Sequence, residues 1–174
     1  MPMFDGAGDL VSVRARNVAG GEPKAAPPLG WTAKGMVMAN PLGQMALALG
    51  TWPWWAERKV MICEGEPDWL SWAARPVGRS MAVLGLGGSG GWSSSIARGI
   101  PAGSRVLVRT HEDPAGDHYA EQIAAELEGL CYVSESEPIG REARRAEREA
   151  QAAAKRAEQA RARAQRTAPG VAAR

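Results

Sequence analysis

The sequence predicts an α/β protein: a parallel sheet flanked by helices, with a small β-rich region before it and an exposed helix after it. Three observations support this. Strand-like and helix-like segments alternate over residues 59–135, Gly and Pro punctuate residues 1–58, and Ala, Arg and Glu dominate residues 136–174. The predicted organisation is therefore a β-rich subdomain, an α/β domain and a helical tail with a disordered end.

The upstream region contains short extended segments separated by loops. Residues 9–16, DLVSVRAR, alternate apolar and polar side chains as a half-buried strand does. GMVMAN predicts a second short strand, whereas the intervening NVAGGEPKAAPPLGWTAKG is dense in Gly and Pro and predicts loops.

From Lys59 onward, apolar runs of strand length alternate with amphipathic segments. Four segments predict strands: KVMICEG, SMAVLGLGG, RVLVRTH and CYV. Three predict helices: PDWLSWAAR, WSSSIARGI and PAGDHYAEQIAAELEGL. This order predicts a parallel sheet, whose ligands are expected beyond the carboxyl ends of the strands.

The C-terminal tail is basic, whereas the rest of the chain is mildly acidic. Residues 136–174 contain ten Lys or Arg and five Glu, a net charge of +5, whereas the remainder has a net charge of −3. Residues 138–168 predict a helix with few apolar side chains to bury. Such a basic segment suits an anionic partner such as nucleic acid, although solvated tails of this kind are also common.

Composition excludes several classes of protein. No apolar run approaches the roughly 18 residues that span a bilayer, and MPMFDGAGDL lacks the features of a secretory signal, so we expect a cytoplasmic protein without a membrane partner. Cys63 and Cys131 lie far apart in apolar stretches, which favours buried free thiols. Two cysteines are too few for a zinc ribbon, so any zinc module must be on another chain.

Two acidic clusters follow the first and third predicted strands of this series. They are Glu64, Glu66 and Asp68 in CEGEPD, and Glu112, Asp113 and Asp117 in THEDPAGD. Carboxylates gathered at one sheet edge repel unless a cation lies between them, and oxygen ligands suit Mg²⁺ or Mn²⁺. Acids that begin helices are an equally good interpretation, because negative charge is favoured there.

The two clusters carry a family resemblance. VMICEGEPDWLSW resembles the first Toprim motif, a strand ending in Glu-Gly, and RVLVRTHEDPAGDHYAEQI resembles the second, a strand ending in Asp-x-Asp. The resemblance covers about residues 59–135 and implies that Glu64 assists proton transfer while Asp113 binds Mg²⁺. His111 stands where the family has the first Asp, and imidazole is a poorer ligand for Mg²⁺.

A second resemblance lies upstream of the first. GDLVSVRARNV, EPKAAPPLG and AKGMVMAN are similar to the basic subdomain that precedes Toprim in bacterial and phage DNA primases. It implies that Arg14 or Arg16, together with Lys24 and Lys34, faces the cleft and holds nucleotide phosphates or template. Ordinary surface charges are the alternative interpretation of these four residues.

Two further features admit more than one interpretation. GLGGSGGWSSS, residues 85–95, lacks the Lys of a P-loop and fits either a phosphate-approaching loop or a turn without a ligand. The tryptophans are numerous enough to form a stacking platform for single-stranded nucleic acid, although packing in the core or at the subdomain interface is favoured. The six considered are Trp52, Trp54, Trp55, Trp69, Trp72 and Trp92.

The leading hypothesis is a primase-like Toprim protein that synthesises RNA primers on single-stranded DNA from nucleoside triphosphates, using Mg²⁺ or Mn²⁺. Its further partners would be a replicative helicase or a separate zinc-binding module. The alternative is a module that binds nucleic acid without turnover, with His111 marking loss of the metal pair. A Toprim nuclease or topoisomerase-like hydrolase is disfavoured, because it would not need the upstream basic sequence.

Overall fold

A computed structural model of the chain describes residues 1–88, 90–111, 113–135 and 156. Residues Met1–Ser136 form one compact unit. The predicted helical tail over 138–168 lies outside the described residues, apart from Arg156, which is helical. None of the described helices is long and apolar enough to cross a membrane.

The alternation of strands and helices after Lys59 is confirmed. Four strands pair in parallel in the order β7-β6-β8-β9: β6 (Lys59–Glu64), β7 (Ala82–Leu86), β8 (Arg105–Arg109) and β9 (Tyr132–Glu135). Three helices connect them: α2 (Glu66–Ala73), α3 (Ser94–Gly99) and α4 (Pro114–Leu127). A short 3-10 helix, Pro76–Arg79, follows α2. The fold is therefore α/β with parallel core strands, as the sequence predicts.

The N-terminal region is β-rich, but three of its strands extend the same sheet. These are β1 (Pro2–Phe4), β2 (Leu10–Val13) and β5 (Val37–Ala39), which make the seven-stranded order β2-β1-β5-β7-β6-β8-β9. The added strands pair antiparallel, so the whole sheet is mixed. The strand predicted over residues 9–16 is divided at Arg14. Its second part, β3 (Ala15–Arg16), pairs with β4 (Ala25–Ala26) in a separate small hairpin.

One helix in this region was not predicted. Helix α1 spans Pro41–Leu49, with Asn40 as its N-cap and Gly50 in the left-handed conformation at its end. The Asn40 side chain accepts hydrogen bonds from the Gly43 and Val83 amides and donates two to the carbonyls of Gly78 and Met81. Because this one buried side chain satisfies four backbone groups, it connects the start of α1 to the start of β7.

The core has two layers of different composition. On one face of the sheet, α3 and α4 cover mainly Val, Ile and Leu side chains; on the other, α2 covers a cluster rich in methionine that includes Met3, Met38 and Met61. Gly85 allows the close approach of α2, since a Cβ built there would lie 2.5 Å from the Trp69 Cβ atom. The packing interpretation holds for Trp69 and Trp92. Cys63 is buried as predicted, whereas Cys131 is only partly buried.

Candidate functional site

The carboxyl ends of β6 and β8 lie side by side. The two strands are neighbours in parallel register, with Cys63 opposite Arg109. Glu64 ends β6, and Gly65 follows with φ 93°, a conformation that L residues rarely adopt. This glycine turns the chain into α2 directly after Glu64, so the Glu64 side chain stands at the edge of the sheet with 15% of its surface exposed.

His111 lies against Glu64, as the adjacency of the two strands requires. The His111 backbone amide donates a hydrogen bond to Glu64 Oε2 over 3.0 Å. The imidazole Nδ1 is 3.7 Å from Glu64 Oε1, and Nε2 is 4.0 Å from Asp68 Oδ2. The imidazole therefore occupies the space between two carboxylates, where the sequence predicts a cationic group.

The Asp113 side chain caps a helix in this structure. It is the N-cap of α4, and its carboxylate accepts a hydrogen bond from the Gly116 amide over 2.8 Å. This is the helix-capping role that was the alternative interpretation for the acidic clusters. The side chain is exposed at the sheet edge, and its predicted neighbour Glu112 lies outside the described residues.

The described residues do not supply a complete set of protein ligands for a metal. No group of three or more His, Cys, Asp and Glu side chains within them could hold an ion. Glu64 and His111 form a pair of possible donors. Mg²⁺ often binds through one or two carboxylates together with oxygen atoms of its substrate, and Glu64 is the one carboxylate of this pair.

The two upstream arginines reach this edge and bind Glu66, a partner that the sequence did not predict. The Arg14 guanidinium forms a short ion pair with one oxygen of Glu66, and Arg16 Nη1 lies 3.2 Å from the other. Glu66 is only 7% exposed. Because Glu66 begins α2, these ion pairs join the upstream basic segment to the segment that carries Glu64.

Arg14 also lies against the glycine-rich loop. A Cβ built on Gly87 would be 3.2 Å from Arg14 Nη1, so the backbone of the loop and the guanidinium are in close contact. The amide of Gly35 donates to the carbonyl of Gly90 over 2.9 Å, which places exposed Lys34 beside the same loop. The loop is therefore bordered by two of the four predicted phosphate-binding residues.

Lys24 lies in the small hairpin on the Arg16 side. It is exposed, and its carbonyl accepts a hydrogen bond from the Asn17 amide. Its backbone is thereby fixed close to the end of the strand that carries Arg16.

The Tyr119 hydroxyl binds two backbone groups of the glycine-rich loop, a role that the sequence analysis did not predict. Its hydroxyl accepts a hydrogen bond from the Trp92 amide over 2.8 Å and donates one to the carbonyl of Gly88 over 3.2 Å. Burial raises the pKa of Tyr119 to about 12, with a smaller contribution from the negative charge of Glu64. The hydroxyl therefore remains a donor at neutral pH. In the sequence, Tyr119 could be identified only as one apolar position of an amphipathic helix.

Burial similarly raises the pKa of the Cys63 thiol to about 12. Cys63 precedes Glu64 but is fully buried, so it remains a neutral thiol that packs in the core.

Comparison with models of protein families finds no match. No curated protein shows significant sequence similarity to the chain.

Proposed function

We propose that the chain is a primase-like Toprim protein that acts in nucleotidyl transfer, synthesising RNA primers on single-stranded DNA during replication in the cytoplasm. The observation that carries the proposal is the convergence of Glu64, the glycine-rich loop and the two arginines Arg14 and Arg16 at the carboxyl ends of the core strands. A carboxylate beside a cationic, glycine-lined surface suits a reaction at a phosphate.

In this proposal Glu64 moves the proton at the attacking or leaving oxygen. Arg14 and Arg16 together carry two positive charges against the one charge of Glu66, so a net positive charge remains for a nucleotide phosphate. The glycine-rich loop lets the phosphates approach backbone amides, and Lys34 lies beside it. Lys24 would contact template farther along the hairpin.

A Mg²⁺ or Mn²⁺ ion, when bound with nucleoside triphosphate, would neutralise phosphate charge and orient the displacement. Glu64, His111 and Asp113 are the residues proposed to face it. A separate zinc-binding module or a replicative helicase would supply template selection and movement, since Cys63 and Cys131 alone cannot build a zinc module.

The experiment that tests the proposal is template-dependent incorporation of ribonucleotides by the full chain and by Glu64→Gln. We expect incorporation by the wild-type protein and a loss of at least a hundredfold in the variant, the range that general acid–base residues contribute. Glu128→Gln, an exposed glutamate at the far end of α4, is the matched control and should retain activity. Equal incorporation by wild type and Glu64→Gln would remove Glu64 from the reaction.

A second function, binding of nucleic acid without turnover, is favoured by one observation. His111 lies between Glu64 and Asp68, and the described residues contain no group of three metal-binding side chains. A protonated imidazole attracts phosphate, whereas a second carboxylate in its place would repel it.

The variant His111→Asp separates these two functions. If the site only binds, titration with single-stranded DNA should show weaker binding by His111→Asp, and no variant should incorporate nucleotides. If the site is catalytic, Mg²⁺ should bind more tightly to His111→Asp than to the wild type, because the change restores paired carboxylates.

A further inference from the structure

Two tryptophans are exposed at the edge of the sheet opposite Glu64. Trp54 is 95% exposed and Trp55 is 52% exposed, so the packing interpretation does not hold for them. They lie in the loop before β6, next to the amino ends of β6 and β8. We name this surface the tryptophan edge; it consists of Trp54, Trp55, Arg58, Lys59 and Arg105.

The loop that presents these indoles is held at several points. Trp52 donates its Nε1 hydrogen to Ser104 Oγ over 3.0 Å, and the Ala56 amide donates to the carbonyl of Pro53 over 3.0 Å. Trp54 and Trp55 therefore occupy the two central positions of a closed turn. Because the turn is fixed, stacking a ligand on these rings requires little ordering of the backbone.

The charge of the edge is mainly positive. Arg58, Lys59 and Arg105 are all exposed, and the Arg105 amide donates to the carbonyl of Arg58 over 2.8 Å. Lys59 is paired with Arg105 across the two strands and also forms an ion pair with Glu57. Three cations against one carboxylate leave an excess of positive charge at the amino ends of β6 and β8, directly after the turn that carries the two indoles.

A cavity opens beside these cations. Its volume is about 370 Å³, Lys59 and Arg105 line it, and apolar side chains such as Trp72, Met81 and Leu107 form much of its wall. A cavity with an apolar wall and cations in its lining suits a flat, uncharged ring attached to an anion. A nucleobase with its phosphate has this chemistry.

We infer that the tryptophan edge is a second binding surface for single-stranded nucleic acid, in which Trp54 and Trp55 stack on bases while Lys59 and Arg105 hold phosphates. Exposed aromatic rings interleaved with cations are the pattern that single-strand-binding surfaces use. The excess of positive charge favours a polyanion over an uncharged protein surface. The inference rests on the proposed function only in selecting a single strand as the ligand.

The test is the affinity of the full chain for a fluorescent oligothymidine, measured by anisotropy without nucleotides or divalent ions. The double variant Trp54→Ala, Trp55→Ala should bind at least tenfold more weakly, because alanine substitution at a stacked base costs about 1–3 kcal/mol. The matched control is Trp31→Ala, a tryptophan that is 59% exposed in the upstream region; its affinity should stay within twofold of wild type.

The cations are tested by salt dependence. The double variant Lys59→Ala, Arg105→Ala should flatten the plot of log affinity against log salt by about 1 to 1.4, since each single-strand phosphate contact contributes roughly 0.7. Arg98→Ala, an exposed arginine on α3, should leave the slope unchanged. Circular dichroism and urea midpoints check that each variant is folded. If the double tryptophan variant is destabilised, Trp54→Ala alone replaces it in the binding assay.

Unchanged affinity in the tryptophan variants would overturn the inference and point instead to a protein partner for the exposed rings. An equal loss in Trp31→Ala would also overturn it, because the loss would then not be specific to this surface. The outcome of this binding assay does not depend on whether the protein catalyses nucleotidyl transfer. The binding assay contains no nucleotide, so a failure of primer synthesis and a failure of this surface appear in different assays.

Discussion

Replacing Glu66 tests the contact between the upstream arginines Arg14 and Arg16 and the site. In Glu66→Gln the side chain keeps its shape, but the carboxylate that binds Arg14 and Arg16 is lost. Removing one partner of a fully buried ion pair costs about 3–5 kcal/mol. Glu66 is 7% exposed, but the Arg14 and Arg16 side chains are 15% and 38% exposed, so solvent screens part of this cost.

We therefore expect Glu66→Gln to lower the free energy of unfolding by about 2 kcal/mol, within the range for breaking a partly screened charged pair. Urea denaturation followed by tryptophan fluorescence measures it. The two arginines also lose a competing anion, so nucleoside triphosphate should bind more tightly to the folded variant, and more so at low salt.

The matched control is Glu57→Gln, an exposed glutamate that forms an ion pair with Lys59. Its urea midpoint should stay close to that of wild type, because an exposed pair contributes little. In a double-mutant cycle, Arg14→Met and Glu66→Gln should cost less together than the sum of the two single changes. A Glu66→Gln midpoint equal to the Glu57→Gln midpoint, with additive effects in the cycle, would refute this reasoning.

Three further predictions follow from the fold and the tail. Tyr119→Phe leaves the buried Trp92 amide without its acceptor and should lower the free energy of unfolding by about 1–3 kcal/mol in urea titrations. The raised pKa favours the neutral, folded form, so wild-type stability should fall as pH rises from 10 to about 12, and Tyr119→Phe should lack this part of the fall. Gly65→Ala places an L residue at φ 93° and should cost about 1–3 kcal/mol by the same titration while weakening triphosphate binding. Deleting residues 136–174 should reduce oligonucleotide affinity and flatten its salt dependence, since it removes a net charge of +5; an unchanged slope would exclude the tail from binding.

The sequence predicts the second half of the fold well because the information there is local. Apolar runs of strand length alternate with amphipathic segments, and parallel strands joined by helices must share one edge for their carboxyl ends. The contact between Glu64 and His111 follows from that geometry. The N-terminal strands are different: β5 joins β7 through antiparallel pairing across 45 or more residues, which no local pattern encodes.

The contacts that complete the site were missed for the same reason. Arg14 and Glu66 are 52 residues apart in the chain, and Tyr119 lies 31 residues from Gly88. A charged or aromatic residue in a sequence shows what it can bind, but not which residue the fold places against it. Trp54 shows the converse case: its position in TWPWW, at the predicted subdomain junction, favoured packing, and only the structure reveals an exposed ring.

The most direct measurement of the central claim is the rate of template-dependent ribonucleotide incorporation by His111→Asp relative to the wild-type chain. If the edge formed by Glu64 and His111 is a catalytic site, restoring a carboxylate beside Glu64 should preserve or increase the rate, and the combined variant with Glu64→Gln should be inactive. Absence of incorporation by wild type and His111→Asp alike, with single-stranded DNA bound by the wild type and lost in His111→Asp, would contradict nucleotidyl transfer.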